Sequence, residues 1–232
     1  MDILVKINNQ TNGRDKEARL LQYLSRLLWY RFQQSNIKGV QGLKNIEYQL
    51  STFRKFLRFG RFVESLYATL PLFHEENAVL RYTIILSKIA NSLFLLADHL
   101  LLLGRADFCP TDTQKWSRIS NKYWLYSITM NLMRDFYEIY NILNSEKRII
   151  MPKNGLRNLE DFKTLFLRSF MVLVNHQDIL IDTVKNCCDF FIPYTALGHA
   201  NLSPGTVGLL GSISSLMGLL VLINPENKLI PQ

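Results

Sequence analysis

The side chains with the most capacity for chemistry are four cations set close together, Arg54, Lys55, Arg58 and Arg61. Arg54, Arg58 and Arg61 recur at steps of four and three, so they share one stripe of a helix. Guanidinium and ammonium groups arranged this way bind phosphate oxygens, whether on anionic lipid headgroups or on nucleic acid. Catalysis has weaker support. Asp135 and Glu138 lie one turn apart, as a carboxylate pair would, but Arg134 stands at i,i+4 to Glu138 and gives them a structural reading. No nucleophile, base and orienting group can be named together, so an enzyme is not expected. His74, His99, His176 and His199 are scattered without ligand spacing and no CxxC pair occurs, so neither a metal nor a cofactor is expected. Cys109, Cys187 and Cys188 are odd in number and two are adjacent, which implies no disulfide framework.

The helices that must carry these residues are legible from apolar spacing. Leu20, Leu24, Leu27 and Leu28 predict an amphipathic helix over 16–32, with Gly39 and Gly42 separating it from the next. Over 43–57, Leu43, Ile46, Leu50, Phe53 and Leu57 step by three and four and form one apolar strip, with the basic stripe beside it. Tyr48, Phe56, Phe59 and Val63 form a second strip, and Pro71 is the expected end of the segment. Further helices are expected over 77–103, 114–147 and 159–192. Gly104 and Pro110 close the first of these, Thr111 to Thr113 supply caps, Pro152 and Gly155 mark a linker at 151–155, and the last helix is expected to stop before Pro193. Strand patterning is scarce. The fold class predicted is all-α: a single helical domain with basic amphipathic helices in 1–76, an apolar and a long helix in 77–150, a helix over 159–192 and a membrane span over 204–223.

Charge is distributed unevenly. Residues 1–62 hold 12 Lys and Arg against 4 Asp and Glu, while the remaining 170 residues balance at 15 of each. No charged residue occurs between Asp189 and Glu226. Within that window the twenty residues of 204–223 reach about 30 Å as a helix, enough for a bilayer core. Gly208, Gly211, Ser212, Ser215 and Gly218 give that span small-xxx-small spacing, which lets helices approach closely in lipid. Self-association through them and packing against another helix of the same chain are equal readings. Residues 84–103 are a second candidate: twelve Leu, Ile and Phe supply about −4 to −7 kcal/mol on an insertion scale, against roughly +3 for each of Lys88 and Asp98. One or two spans are therefore expected. The first twenty residues lack the apolar length of a signal peptide, and the N-terminal region is expected to face the cytosol. No zinc spacing, RNP-like motif or helix-turn-helix accompanies the basic stripe, so the partner expected is anionic lipid, not nucleic acid.

Several blocks together resemble the peroxin-11 family of peroxisomal membrane proteins. They are Leu50-Ser51 with Arg54-Lys55, Leu57-Arg58 and Gly60; Met130-Asn131-Leu132 with Arg134-Asp135 and Tyr137-Glu138-Ile139; Asn186, Cys188-Asp189, Phe191-Ile192-Pro193 and Leu197-Gly198; and Pro204-Gly205, Val207-Gly208 and Gly211. The resemblance spans most of the chain in order. It implies a peroxisomal membrane protein that elongates the membrane before fission by inserting an amphipathic segment, here 43–64. On that view Leu43, Ile46, Leu50, Phe53 and Leu57 enter the leaflet while Arg54, Lys55, Arg58 and Arg61 meet anionic headgroups. It also implies a homo-oligomer and contact with dynamin-related fission machinery and its membrane adaptors. A peroxisomal pore for small metabolites is the alternative it raises, and an adaptor whose helices bind only proteins is a third.

Overall fold

The computed structural model describes residues 5, 7–108, 112–147 and 159–230, and every regular element among them is helical. Eight α-helices follow in order: α1 (Thr11–Gln34), α2 (Val40–Leu57), α3 (Arg61–Tyr67), α4 (Ala78–Arg105), α5 (Thr113–Ser145), α6 (Leu159–Asn175), α7 (Gln177–Ala196) and α8 (Pro204–Ile223). Short 3-10 turns lie at Pro71–His74 and Pro225–Asn227. Cys109, Pro110, Thr111 and the expected linker at 151–155 lie outside the described residues.

Local chemistry sets the boundaries. Asn77 caps α4 by accepting from the Val79 and Leu80 N–H groups, and Asp112 caps α5 by accepting from those of Gln114 and Lys115. Ser203 caps α8 and Pro204 fills its first turn, where the missing N–H costs nothing. Gly39 and Gly60 take left-handed backbone, at φ 104° and 79°, before α2 and α3. The turn at Gly60 corrects one expectation: the amphipathic segment is not one helix to Glu64, so Arg61 starts a new helix and leaves the stripe of Arg54 and Arg58. A second correction concerns 159–192. His176 (φ −101°, ψ 69°) leaves the helical region and divides the segment into α6 and α7. The helix also runs through Pro193 to Ala196. Proline there forfeits one backbone hydrogen bond near the helix end, a cost that surrounding helices can absorb in a buried bundle.

The helices form a circuit. α1 lies between α2 and α8; α8 packs on α7, α7 on α5, α5 on α4 and α4 on α3, and α2 touches α4 to close it. Apolar cores are small. Leu72, Leu80, Ile84 and Ile85 form one with Tyr137, and Tyr23, Ile192 and Val207 form another with Trp124 and Leu202. Among the described residues, more of the buried side chains are polar or charged than hydrophobic. Large apolar side chains on α2 to α6 face outward instead. This reverses the usual partition of a water-soluble fold and suits a bundle whose outer solvent is lipid.

Candidate membrane interface and polar interior

The basic stripe of α2 points into the bundle. Arg54 is only 8% exposed; its Nε donates to Asp15 Oδ1 at 3.0 Å and its Nη1 to Gln22 Oε1 at 2.7 Å. Arg58 donates to both Asp15 oxygens at 3.1 and 3.2 Å and reaches Asp98 at 3.5 Å, while Lys55 pairs with Asp98 at 2.5 Å. The expectation that these three cations lie open to external headgroups is corrected. Asp15 on α1 and Asp98 on α4 are anions built into the fold, and a charge-assisted bond needs no lipid once a carboxylate stands within reach. Arg61 differs, pairing with exposed Glu64 at 3.6 Å and staying partly open. Asp98, a cost when 84–103 is judged as a bare span, has Lys55 and Arg58 as partners. Nothing in the spacing of α2 marked Asp15 or Asp98 as its counterions.

The apolar strip lies at the flank of that interior. Ile46 and Phe53 are 50% and 48% exposed, whereas Leu43, Leu50 and Leu57 are half-buried. The outermost apolar groups are Phe56 and Phe59, at 61% and 64%. Sequence spacing placed those two phenylalanines on the second strip; the fold makes that strip the more open of the two. Arg26 and Trp29 of α1 hold Glu47 at 2.6 Å each and fix the roll of α2 about its axis. The outward surface continues onto α3 and the turn beyond it through Val63, Tyr67, Leu70 and Phe73.

The small residues of α8 meet α1 of the same chain. A Cβ at Gly205 would lie 2.4 Å from the Tyr30 ring, at Gly208 2.8 Å from the Leu27 backbone nitrogen, at Gly211 2.3 Å from the Tyr23 ring and at Gly218 2.6 Å from Lys16 Nζ. The two helices therefore run antiparallel in close contact, and the stripe is occupied within one molecule. Ser212 and Ser215 donate to the Gly208 and Gly211 carbonyls at 2.8 and 2.6 Å, so their buried hydroxyls are satisfied inside the helix.

A second buried network joins α5 to α7. Arg134 donates to Asp135 Oδ1 through Nη2 at 2.7 Å and also pairs with Asp182. Asn186 donates to Asp135 at 2.7 Å and to Asp182 at 3.0 Å, and Lys185 pairs with Asp182. The expected Arg134–Glu138 pair is thereby corrected, because two buried carboxylates offer Arg134 shorter and drier contacts. Burial pushes the Asp135 carboxyl above its ordinary range, and Arg134 only partly offsets it. Burial also pushes Asp182 upward, but Lys185 and Arg134 outweigh it and hold that carboxyl low. Arg134, Asp135 and Asn186, drawn from separate blocks of the sequence, thus form one cluster.

Charges paired inside, apolar side chains outside and two helices long and apolar enough to cross a bilayer, Ala78–Arg105 and Pro204–Ile223, define a helical membrane protein. The chain belongs to the Peroxisomal biogenesis factor 11 (PEX11) family, whose model matches residues 1–223. It is 31% identical to human peroxisomal membrane protein 11B over 100% of both chains, and 31% identical to bovine peroxisomal membrane protein 11A over 99% of each. A Dictyostelium discoideum homolog of peroxisomal membrane protein 11 is 27% identical over 94% of this chain and 92% of its own. No solved structure matches. The protein is accordingly a peroxisomal membrane protein with a role in peroxisome biogenesis.

Proposed function

We propose that this protein elongates the peroxisomal membrane ahead of fission by seating the outer face of α2 in one leaflet. The observation that carries this reading is the roll of α2: its cations are tied to Asp15 and Asp98 inside, which leaves Ile46, Phe53 and Phe56 outward, with Phe59 exposed in the turn that follows. Apolar rings entering the acyl boundary widen one leaflet relative to the other and favour curvature. Leu43, Leu50 and Leu57 back this face, and Arg61 at its end meets anionic headgroups, while Arg54, Lys55 and Arg58 act from within by holding the helix in register. Full burial of two phenylalanines is worth roughly 3 kcal/mol at the low end, about a hundredfold in membrane occupancy. Phe53→Glu with Phe56→Glu is therefore expected to abolish tubulation of anionic vesicles by the reconstituted full chain. Undiminished tubules would refute the assignment.

Self-association and contact with dynamin-related machinery, which the resemblance implies, belong to the same reading. With the α8 seam filled by α1, self-association falls to another face. α6 is apolar on its outside, with Phe162, Phe166 and Phe170 more than half exposed, and among the described residues it packs on α5 and α7. Both candidate spans crossing would put the two chain ends on one side, which we assign to the cytosol. Tags at the two ends of the protein in intact peroxisomes are expected to be digested together by external protease. Digestion of one tag alone would mean a single span.

A further inference from the structure

The circuit of helices lines a half-open cavity of about 1030 Å³, at the upper end of the range for ligand sites. Nine Lys and Arg side chains line it against two carboxylates, Asp15 and Asp98. Three more acids reach lining cations from behind: Asp189 on Arg19, Glu47 on Arg26 and Glu64 on Arg61. Nine cations thus face five acids, and four positive charges have no counterion among the described residues. Lys16, Arg105 and Arg118 have no carboxylate partner there; Arg105 donates instead to Thr52 Oγ1 at 2.7 Å. The buried Arg19 Nε has no hydrogen-bond partner among the described residues, although its guanidinium is held over the Tyr23 and Trp124 rings at 5.6 and 5.8 Å. Exposed Thr113, Gln114, Ser117 and Arg118 also line the cavity and give it a polar rim open to water.

We propose that this cavity binds a multiply charged, phosphate-bearing anion held by Lys16, Arg19, Arg105 and Arg118. Uncompensated like charges in one cavity oppose the empty fold, and a ligand with two or more negative charges removes that opposition. Guanidinium forks match phosphate oxygens in pairs, which favours phosphate over a single carboxylate. The Lys16 ammonium shows the strain. Burial first, then Lys185 on α7 and Arg19 on its own helix, pull it down to about 8, against the opposing pull of Asp15 and Asp189; from α8, Gly218 lies against it. Its folded value lies below its unfolded one, so the empty protein loses stability as pH falls through that interval, and the full penalty is present below about 8.

A phosphate of this kind can come from water or from a lipid headgroup, and two arms separate them. The full chain in nanodiscs of neutral phosphatidylcholine is titrated with inorganic pyrophosphate; in the second arm the nanodiscs carry a phosphatidylinositol bisphosphate instead. Binding in the first arm identifies a soluble ligand, and binding in the second alone identifies a headgroup. Lys16→Met with Arg118→Gln, which leaves no carboxylate unpaired, is expected to weaken binding about tenfold or more. The empty variant should melt no lower than the parent, because the half-buried lysine, unpaired among the described residues, is a cost to the fold. Arg31→Gln, exposed and away from the cavity, should leave affinity unchanged. Absence of binding in both arms, or equal loss in the Arg31 variant, would overturn the proposal.

Discussion

Arg134→Met is expected to lower stability by about 3–5 kcal/mol, the cost of removing one partner from a buried ionic cluster. Asp135 is fully buried and Asp182 is 4% exposed, so neither carboxylate can turn to water when the guanidinium is lost. Asp182 keeps Lys185, but among the described residues Asp135 keeps only the Asn186 amide. The pH dependence has a fixed sign. Burial already holds the folded Asp135 pKa above its unfolded value, and loss of Arg134 raises it further. A carboxyl raised on folding destabilises the native state as pH rises through the folded pKa, so the variant should recover part of its melting midpoint on acidification toward the ordinary carboxylate range. Adding Asp135→Asn should restore stability near neutral pH, since an amide keeps the shape and the partner without the buried charge. Thermal denaturation in detergent, followed by tryptophan fluorescence, reads both variants. A single variant as stable as the parent would show that α5 and α7 are held together by other contacts.

Gly208→Leu should be nearly as damaging, for a steric reason. The added Cβ would meet the Leu27 nitrogen at 2.8 Å and the Tyr23 carbonyl oxygen at 3.0 Å, and neither backbone atom can swing aside as a side chain can. Overpacking of this kind costs about 1–3 kcal/mol and more where the backbone must move. The expected result is loss of amide protection along α1, measured by hydrogen exchange, because separating α1 from α8 releases the helix that carries Asp15, Arg19 and Gln22. Gly42→Ala is the matched control: nothing lies within 4 Å of its added carbon, and alanine favours a helix by about 0.5–1 kcal/mol. If Gly208→Leu left α1 protected but reduced the size of an oligomer, the stripe would be a contact between molecules and the seam described here would not be its main use.

Helical periodicity fixed which residues share a face. Leu43, Ile46, Leu50, Phe53 and Leu57 follow from steps of three and four whatever surrounds them, and the uncharged run through Pro204–Ile223 can span a bilayer on length and composition alone. The fold class and the family blocks were legible for the same reason, since both depend on residue types at fixed separations. Local rules were weaker where a single dihedral decides: the breaks at Gly60 and His176, and the passage of α7 through Pro193, turn on neighbours that spacing does not contain.

The neighbour of each face was decided by the tertiary structure. A cationic stripe beside an apolar strip reads equally well with the cations toward lipid phosphate or toward buried carboxylates, because both partners are anionic. Only the placement of Asp15, 39 positions before Arg54, and of Asp98, 43 positions after Lys55, turned the stripe inward and the phenylalanines outward. The small residues of α8 were equally open to a second copy or to α1 until Tyr23, Leu27 and Tyr30 filled the spaces that the glycines leave. Four cations that looked like a surface feature became part of the wall of a cavity, since long-range pairing, which local spacing does not encode, sets what a helix face meets.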